Sequence, residues 1–204
     1  MMDFNVLTAV KNSEGEMLMV KKGYDEFAEN PRKMCDHYTK FYTWLRRLTS
    51  PDSISDTFDT WLDNHGFKAG SNPADLISSM AKKGYVALAV YKYEHSSISY
   101  KATVGGDNPY SCNWDSCFAG VIYASRKDIR KEYGVKRVTK DVLERFYSLC
   151  QAEVEEYSAW ANGDCYCYSL YEANGDVVAC TAGYYGDTEE NDASALENLG
   201  VTLV

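Results

Sequence analysis

Residues 3–10 and 16–21 read as two strands around Asn12-Ser-Glu-Gly15, a turn-forming cluster, so the chain is expected to open on a β-hairpin. Asn30 and Pro31 then offer an N-cap and a first helical residue. Met34, Tyr38, Phe41 or Tyr42, Leu45 and Leu48 follow at three- and four-residue spacing, which predicts an amphipathic helix. A second helix is predicted over 55–65, capped by Ser55 and Asp56, with Phe58, Trp61 and Leu62 inward and His65-Gly66 as its stop. The loop Gly70-Ser-Asn-Pro73 leads into a third, 73–83, that turns Leu76, Ile77 and Met80 inward.

The period then changes. Tyr85 to Tyr91 is almost continuously apolar, the pattern of a central strand covered on both faces, and Ile98 to Val104 is its expected antiparallel neighbour. Gly105-Gly-Asp-Asn-Pro109 is a loop by composition, and Val121 to Ala124 is a short apolar strand. Ser125 and Asp128 start a short helix that ends near Gly134. Thr139 caps the longest helix, 140–161, whose buried stripe is Val142, Phe146, Leu149, Cys150, Val154, Tyr157 and Trp160, with Glu153, Glu155 and Glu156 directed largely away. Cys165, Cys167 and Ser169 alternate with Tyr166, Tyr168 and Leu170, and Asn174-Gly175 turns this strand back into Val177 to Ala182. An acidic tail follows from Thr188, with a short helix expected around Ala193–Leu199. Hairpins interleaved with helices, rather than a repeated β-α-β unit, predict an α+β fold with a mainly antiparallel sheet, a helical N-terminal half and one long helix at 140–161. Segmented in order, the chain reads as a hairpin plus helical subdomain (1–84), an α+β core (85–187) and an acidic tail (188–204).

Composition adds little until charge is mapped along the chain. With 204 residues, 45% hydrophobic and 25% charged, the sequence is that of an ordinary globular protein. The net charge of −9 is unevenly spread. Residues 101–150 carry nine basic and six acidic side chains, whereas residues 151–204 carry no basic and eleven acidic ones, Arg145 being the last cation. Normal surfaces intersperse both signs. A segment so one-sided repels nucleic acid and attracts cationic surfaces over about 8–10 Å at physiological salt. The opposite sign is concentrated in Arg126 to Lys140, where seven basic residues face Asp128 and Glu132, a segment suited to a phosphate backbone or simply to a solvated helix face.

Candidate chemistry is sparse. Seven cysteines, an odd number, accompany an opening Met1-Met-Asp-Phe-Asn without the basic and apolar regions of a signal peptide, so reduced thiols and a cytoplasmic location are expected. No apolar run reaches the roughly 18 residues of a membrane span. Cys112 and Cys117 with Cys165 and Cys167 offer four thiols for zinc, but the alternation of the second pair in a strand fits packing better. A cysteine nucleophile needs a neighbouring base, and none of His37, His65 and His95 lies in a recognisable motif; Cys112 or Cys117 with His95 and Asp115 is the nearest arrangement. No phosphate-binding glycine loop and no His-Glu-x-x-His motif occurs. Neither an enzyme, a metal site nor a cofactor is expected.

Trp114-Asp-Ser116, Tyr133-Gly-Val-Lys-Arg-Val-Thr-Lys140, Ala152-Glu-Val-Glu-Glu-Tyr157, Gly163-Asp164 and Gly183-Tyr-Tyr-Gly-Asp187 resemble a group of small proteins found on phages and conjugative elements of Gram-positive gut bacteria. The resemblance covers roughly residues 110–187 and implies a genomic setting rather than an activity. Such elements often carry inhibitors of restriction or CRISPR systems, several of which look like acidic mimics of nucleic acid. Together with the charge map it leads to the expectation of an inhibitor that occupies the basic nucleic-acid-binding surface of a host defence nuclease. Its contacts are expected at Trp114, Asp115, Glu153, Glu155, Glu156, Asp164, Tyr184, Tyr185, Asp187, Glu189 and Glu190, with aromatic residues as anchors. The alternative is a DNA- or RNA-binding accessory protein that uses 126–140.

Overall fold

A computed structural model describes residues 5–11, 17–44, 50–54, 57–68 and 72–201. In chain order these form β1 (Asn5–Lys11), β2 (Met17–Tyr24), α1 (Pro31–Met34), β3 (Lys40–Thr43), α2 (Phe58–Asn64) and α3 (Pro73–Lys82). There follow β4 (Tyr85–Glu94), β5 (Ile98–Thr103), β6 (Ser116–Ser125), α4 (Arg126–Glu132) and α5 (Lys140–Asn162). The chain closes on β7 (Cys165–Tyr171), β8 (Val177–Tyr185) and α6 (Glu189–Asn198). The described strands make two four-stranded sheets, antiparallel throughout, so the chain is α+β. It divides into two compact units: residues 30–158, and residues 1–29 together with 159–204.

The 30–158 unit holds the sheet β3-β6-β4-β5. Its central strand β4 is buried continuously from Val86 to Lys92 because helices cover both faces. On one face Tyr42, Ala87, Val121 and Tyr123 meet Leu62 of α2 and Leu76 and Met80 of α3. On the other, the Tyr157 ring of α5 packs edge-on against Phe41 of β3 at 5.2 Å and Tyr100 of β5 at 5.3 Å. Each such fully buried aromatic contributes about 1.5–3 kcal/mol of transfer free energy. Gly120 of β6 is demanded by close approach: a Cβ there would lie 1.9 Å from the Tyr42 carbonyl oxygen.

The 1–29/159–204 unit holds the sheet β1-β2-β7-β8. Val10, Leu18, Val20, Tyr166, Tyr168, Leu170 and Tyr184 turn to one face and bury Ala195 and Leu196 of α6 and Leu199 just after it. The first hairpin therefore shares a sheet with the last, through the β2–β7 pairing of Met19–Tyr24 with Tyr171–Tyr166.

The expected helix from Pro31 to Leu48 is corrected, and with it the helical N-terminal half. Asn30 caps Arg32 as anticipated, but Cys35 is already extended and Lys40–Thr43 pairs with Tyr123–Gly120 of β6. Two forces outweigh the local helical period. Lys-Phe-Tyr-Thr is strand-forming in composition, and the side chain of Arg32 bonds to Thr39, which requires the chain to fold back between them. Leu45, Leu48, the Asn12–Gly15 turn and the Ser55–Asp56 cap lie outside the described residues. Elsewhere the element types follow the pattern but some starts shift: α2 begins at Phe58 rather than 55, β6 at Ser116 rather than Val121, and α6 at Glu189 rather than near Ala193. Thr57 caps α2, Asn72 caps α3 and, as anticipated, Ser125 caps α4, each by a side-chain oxygen accepting a backbone N–H.

Candidate interaction surfaces

Charge divides with the units. The 1–29/159–204 unit contains three lysines against fourteen Asp and Glu, a net of −11; the 30–158 unit contains eighteen basic and sixteen acidic side chains, a net of +2. The whole negative imbalance of the chain thus belongs to one unit.

Within that unit Lys21 and Lys22 are both engaged internally. Lys22, on the helix-covered face of β2, binds Asp187 and, at 2.7 Å, Asp192, and its ammonium sits over the rings of Tyr166 and Tyr168. Burial opposes its charge, but the bonds to Asp187 and Asp192 outweigh that and raise its pKa. Tyr168 donates its hydroxyl to Asp192 as well. Lys21 lies 4.4 Å from the centre of the Tyr171 ring. Five other carboxylates face outward: Glu172 and Asp176 beside the β7–β8 turn, and Glu189, Glu190 and Glu197 on α6, are exposed. Part of the α6 cluster has a local explanation, since acidic groups in a first turn interact favourably with the helix dipole, and Thr188 caps the same turn by accepting from the Asn191 N–H.

The residues singled out in the sequence fall into three kinds. Asp187, Glu189, Glu190, Glu155 and Glu156 are exposed, and Trp114, at 96% exposure, is the most exposed large hydrophobic side chain among the described residues. Glu156 nevertheless has a raised pKa, chiefly through partial burial, with Glu153 adding to the shift and the His37 and Arg32 charges opposing it. Asp115, Asp164 and Tyr185 are half-buried and engaged: Asp115 accepts from the Cys112 thiol, Asp164 accepts from the Asn162 amide, and the Tyr185 hydroxyl donates to the Glu29 carbonyl.

Glu153 and Tyr184 depart from expectation, being buried. Tyr184 packs under α6, its hydroxyl accepting from Asn198 at 2.8 Å. Glu153 accepts from Arg32 Nη1 at 2.7 Å, from the Thr39 hydroxyl at 2.5 Å, and faces His37 Nδ1 at 3.1 Å. Arg32 is itself only 1% exposed in its side chain and grips Asp52 with two parallel bonds of 2.8 Å. Burial works against the guanidinium charge, and the bonds and fields of Asp52 and Glu153 more than restore it. This cluster ties α1, β3, the 50–52 segment and α5 together. The sequence did carry a trace of it: Phe146, Cys150, Glu153 and Tyr157 recur at helical spacing, so Glu153 stands on the buried stripe rather than beside it.

In the 30–158 unit, Lys127, Lys131, Lys136, Arg137 and Lys140 are exposed along and after α4. Of these, Lys140 approaches Glu144 at 3.6 Å, a weak surface pair. The thiols are scattered: Cys150 and Cys165 are buried, Cys35, Cys117 and Cys180 exposed. Burial raises the pKa of Cys150, and pushes that of Cys165 up to about 11 with Asp25 and Asp164 contributing. Among the described residues no three His, Cys, Asp or Glu side chains are grouped to hold a metal ion, and no helix is long and apolar enough to cross a membrane. Comparison with protein-family models, with curated proteins and with solved structures finds no match.

Proposed function

We propose that the chain is a mobile-element inhibitor acting inside the bacterial cell, whose acidic unit occupies the basic nucleic-acid-binding surface of a host defence nuclease, a CRISPR effector or a restriction enzyme. One observation carries this reading: a net charge of −11 confined to a single compact unit whose best-placed cation, Lys22, is already neutralised by Asp187 and Asp192. An unrelieved negative surface of this kind attracts cationic partners, speeds their encounter and excludes nucleic acid. Glu155, Glu156 and Trp114 belong to the other unit and are accessory candidates.

The test is a pull-down from nuclease-treated host lysate, washed at low and then high salt. A basic nucleic-acid-binding protein should be retained at low salt, released by high salt, and lost when Glu189, Glu190 and Glu197 are all changed to Gln. Capture that survives this triple change, or no capture at all, overturns the reading.

The exposed cations between Lys127 and Lys140 favour a second reading, a nucleic-acid accessory protein. A gel shift at low salt, weakened by K131A/K136A/R137A, would establish it; a blank shift removes it.

A further inference from the structure

Sheet edges are liabilities, because an unpaired row of N–H and C=O groups is a template for another strand. In the 30–158 unit both edges are occupied. Along β3, Phe41 exchanges bonds with Asp52 and the Thr43 N–H donates to Ser50. Along β5, the Tyr100 N–H donates to the Ser158 hydroxyl and the Ala102 carbonyl accepts from Gln151.

β8 is different. It is one of the two edge strands of β1-β2-β7-β8, and from Val177 to Ala182 no described residue pairs along its outer side. The sequence there, Val-Val-Ala-Cys-Thr-Ala, contains neither the Lys nor the Pro that usually blunts an edge. Val177 and Val178 are more than half exposed, and Cys180 and Ala182 are exposed. Irregularities in the β7–β8 register at both ends, the second at Gly183 with φ of +83°, leave Ala179–Ala182 as the regular stretch. Small side chains along that stretch leave room for larger ones on an incoming strand.

We infer that the outer edge of β8 is a docking strand for a short extended segment of a protein partner bearing Lys or Arg near both its ends. The register breaks limit the paired length to about four to six residues. Charge identifies the occupant: Glu172 and Asp176 stand at one end of the edge, Asp187, Glu189 and Glu190 at the other. A second copy of this chain is disfavoured by the same charges, since antiparallel self-pairing would bring Asp176 of one molecule toward Asp187 of the next, with a net of −11 on each unit. Backbone bonds would supply affinity and the flanking cations selectivity. The inference rests on the acidic-unit reading above and names its partner's chemistry.

The test uses the full isotope-labelled chain and three nine-residue peptides: alternating Lys and Val, the same peptide N-methylated at every second residue, and alternating Glu and Val. At low salt the Lys/Val peptide should protect amides within Ala179–Ala182 from exchange and bind at least about tenfold more tightly than either control. Val178→Lys, a natural style of edge protection, should weaken it by about tenfold while leaving the circular dichroism spectrum unchanged. Equal binding of the N-methylated peptide, lost at high salt, removes the docking edge and leaves the acidic surface standing. Protection at Ala179–Ala182 that is indifferent to salt and to peptide charge removes the acidic reading as the source of selectivity. Binding of no peptide, or sedimentation showing a dimer that V178K abolishes, overturns the proposal.

Discussion

Glu153 and Glu155 lie two positions apart on α5, carry the same side chain, and should differ sharply in what they contribute to stability. Removing Glu153 with an Ala substitution leaves Arg32 buried with one of its two carboxylate partners and takes from Thr39 its carboxylate acceptor. Breaking a buried ion pair from one side costs about 3–5 kcal/mol. Because Arg32 keeps both bonds to Asp52, the lower end of that range, ~3 kcal/mol, is expected. Glu155→Ala removes an exposed carboxylate and should change stability by no more than ~0.5 kcal/mol. Both substitutions gain the same few tenths of a kcal/mol in helix propensity, so the comparison isolates burial. In urea, with a slope of about 2 kcal/mol per molar, Glu153→Ala should move the unfolding midpoint down by ~1.5 M and Glu155→Ala by under ~0.3 M. A difference between the two of less than ~1 kcal/mol would falsify the assignment of Glu153 to the buried cluster. The same comparison guards the functional test, since partner binding by any variant that includes Glu153 reports lost stability as well as lost charge.

Three further outcomes are expected. Gly120→Ala forces a Cβ into the Tyr42 carbonyl and should cost at least the ~1–3 kcal/mol of over-packing, read as a lowered thermal midpoint; an unchanged midpoint would show that β3 and β6 can separate freely. Iodoacetamide at pH 8 should label Cys35 and Cys180 in the native protein and spare Cys150 and Cys165 until denaturant is added, as mass spectrometry of the peptides would report. The raised pKa of Cys165 adds stability that is complete below the unfolded value of about 8.5 and is lost as pH rises through about 11. For Glu156 the native pKa is likewise raised, so its stabilising contribution is present below the unfolded value of about 4.3 and disappears as pH rises through the native one. Glu156→Gln should therefore be more stable than the parent at pH 7 and equal to it at pH 3; a less stable variant at pH 7 would contradict the shift.

Local pattern made much of the fold readable. The continuous apolar run of β4, the Asn174-Gly175 turn and the stripe of α5 each name their element because a single period dominates the window. Lys40–Thr43 was hidden because its aromatic residues also fit a helical spacing that continues from Met34, and only the distant bonds of Arg32 to Asp52 and Glu153 select the turn and the strand. Strand partnership was hidden for a different reason: nothing in Met19–Tyr24 specifies Tyr166–Tyr171 as its neighbour, about 150 residues away. The acidic unit was half visible. Its C-terminal carboxylates, from Asp164 to Glu197, are plain in the sequence, but the sequence cannot show that Lys22 belongs among them.

The pairing of β2 with β7 also sets an order of assembly. During synthesis β1 and β2 emerge first, yet an isolated two-stranded hairpin is marginal in water, and Asp187 and Asp192, which secure Lys22, are made more than 160 residues later. Residues 30–158 form a contiguous unit that can complete its own core while the first hairpin waits. The acidic unit closes only when β7, β8 and α6 have left the ribosome, so its surface is absent from every chain that has not yet been extended through α6.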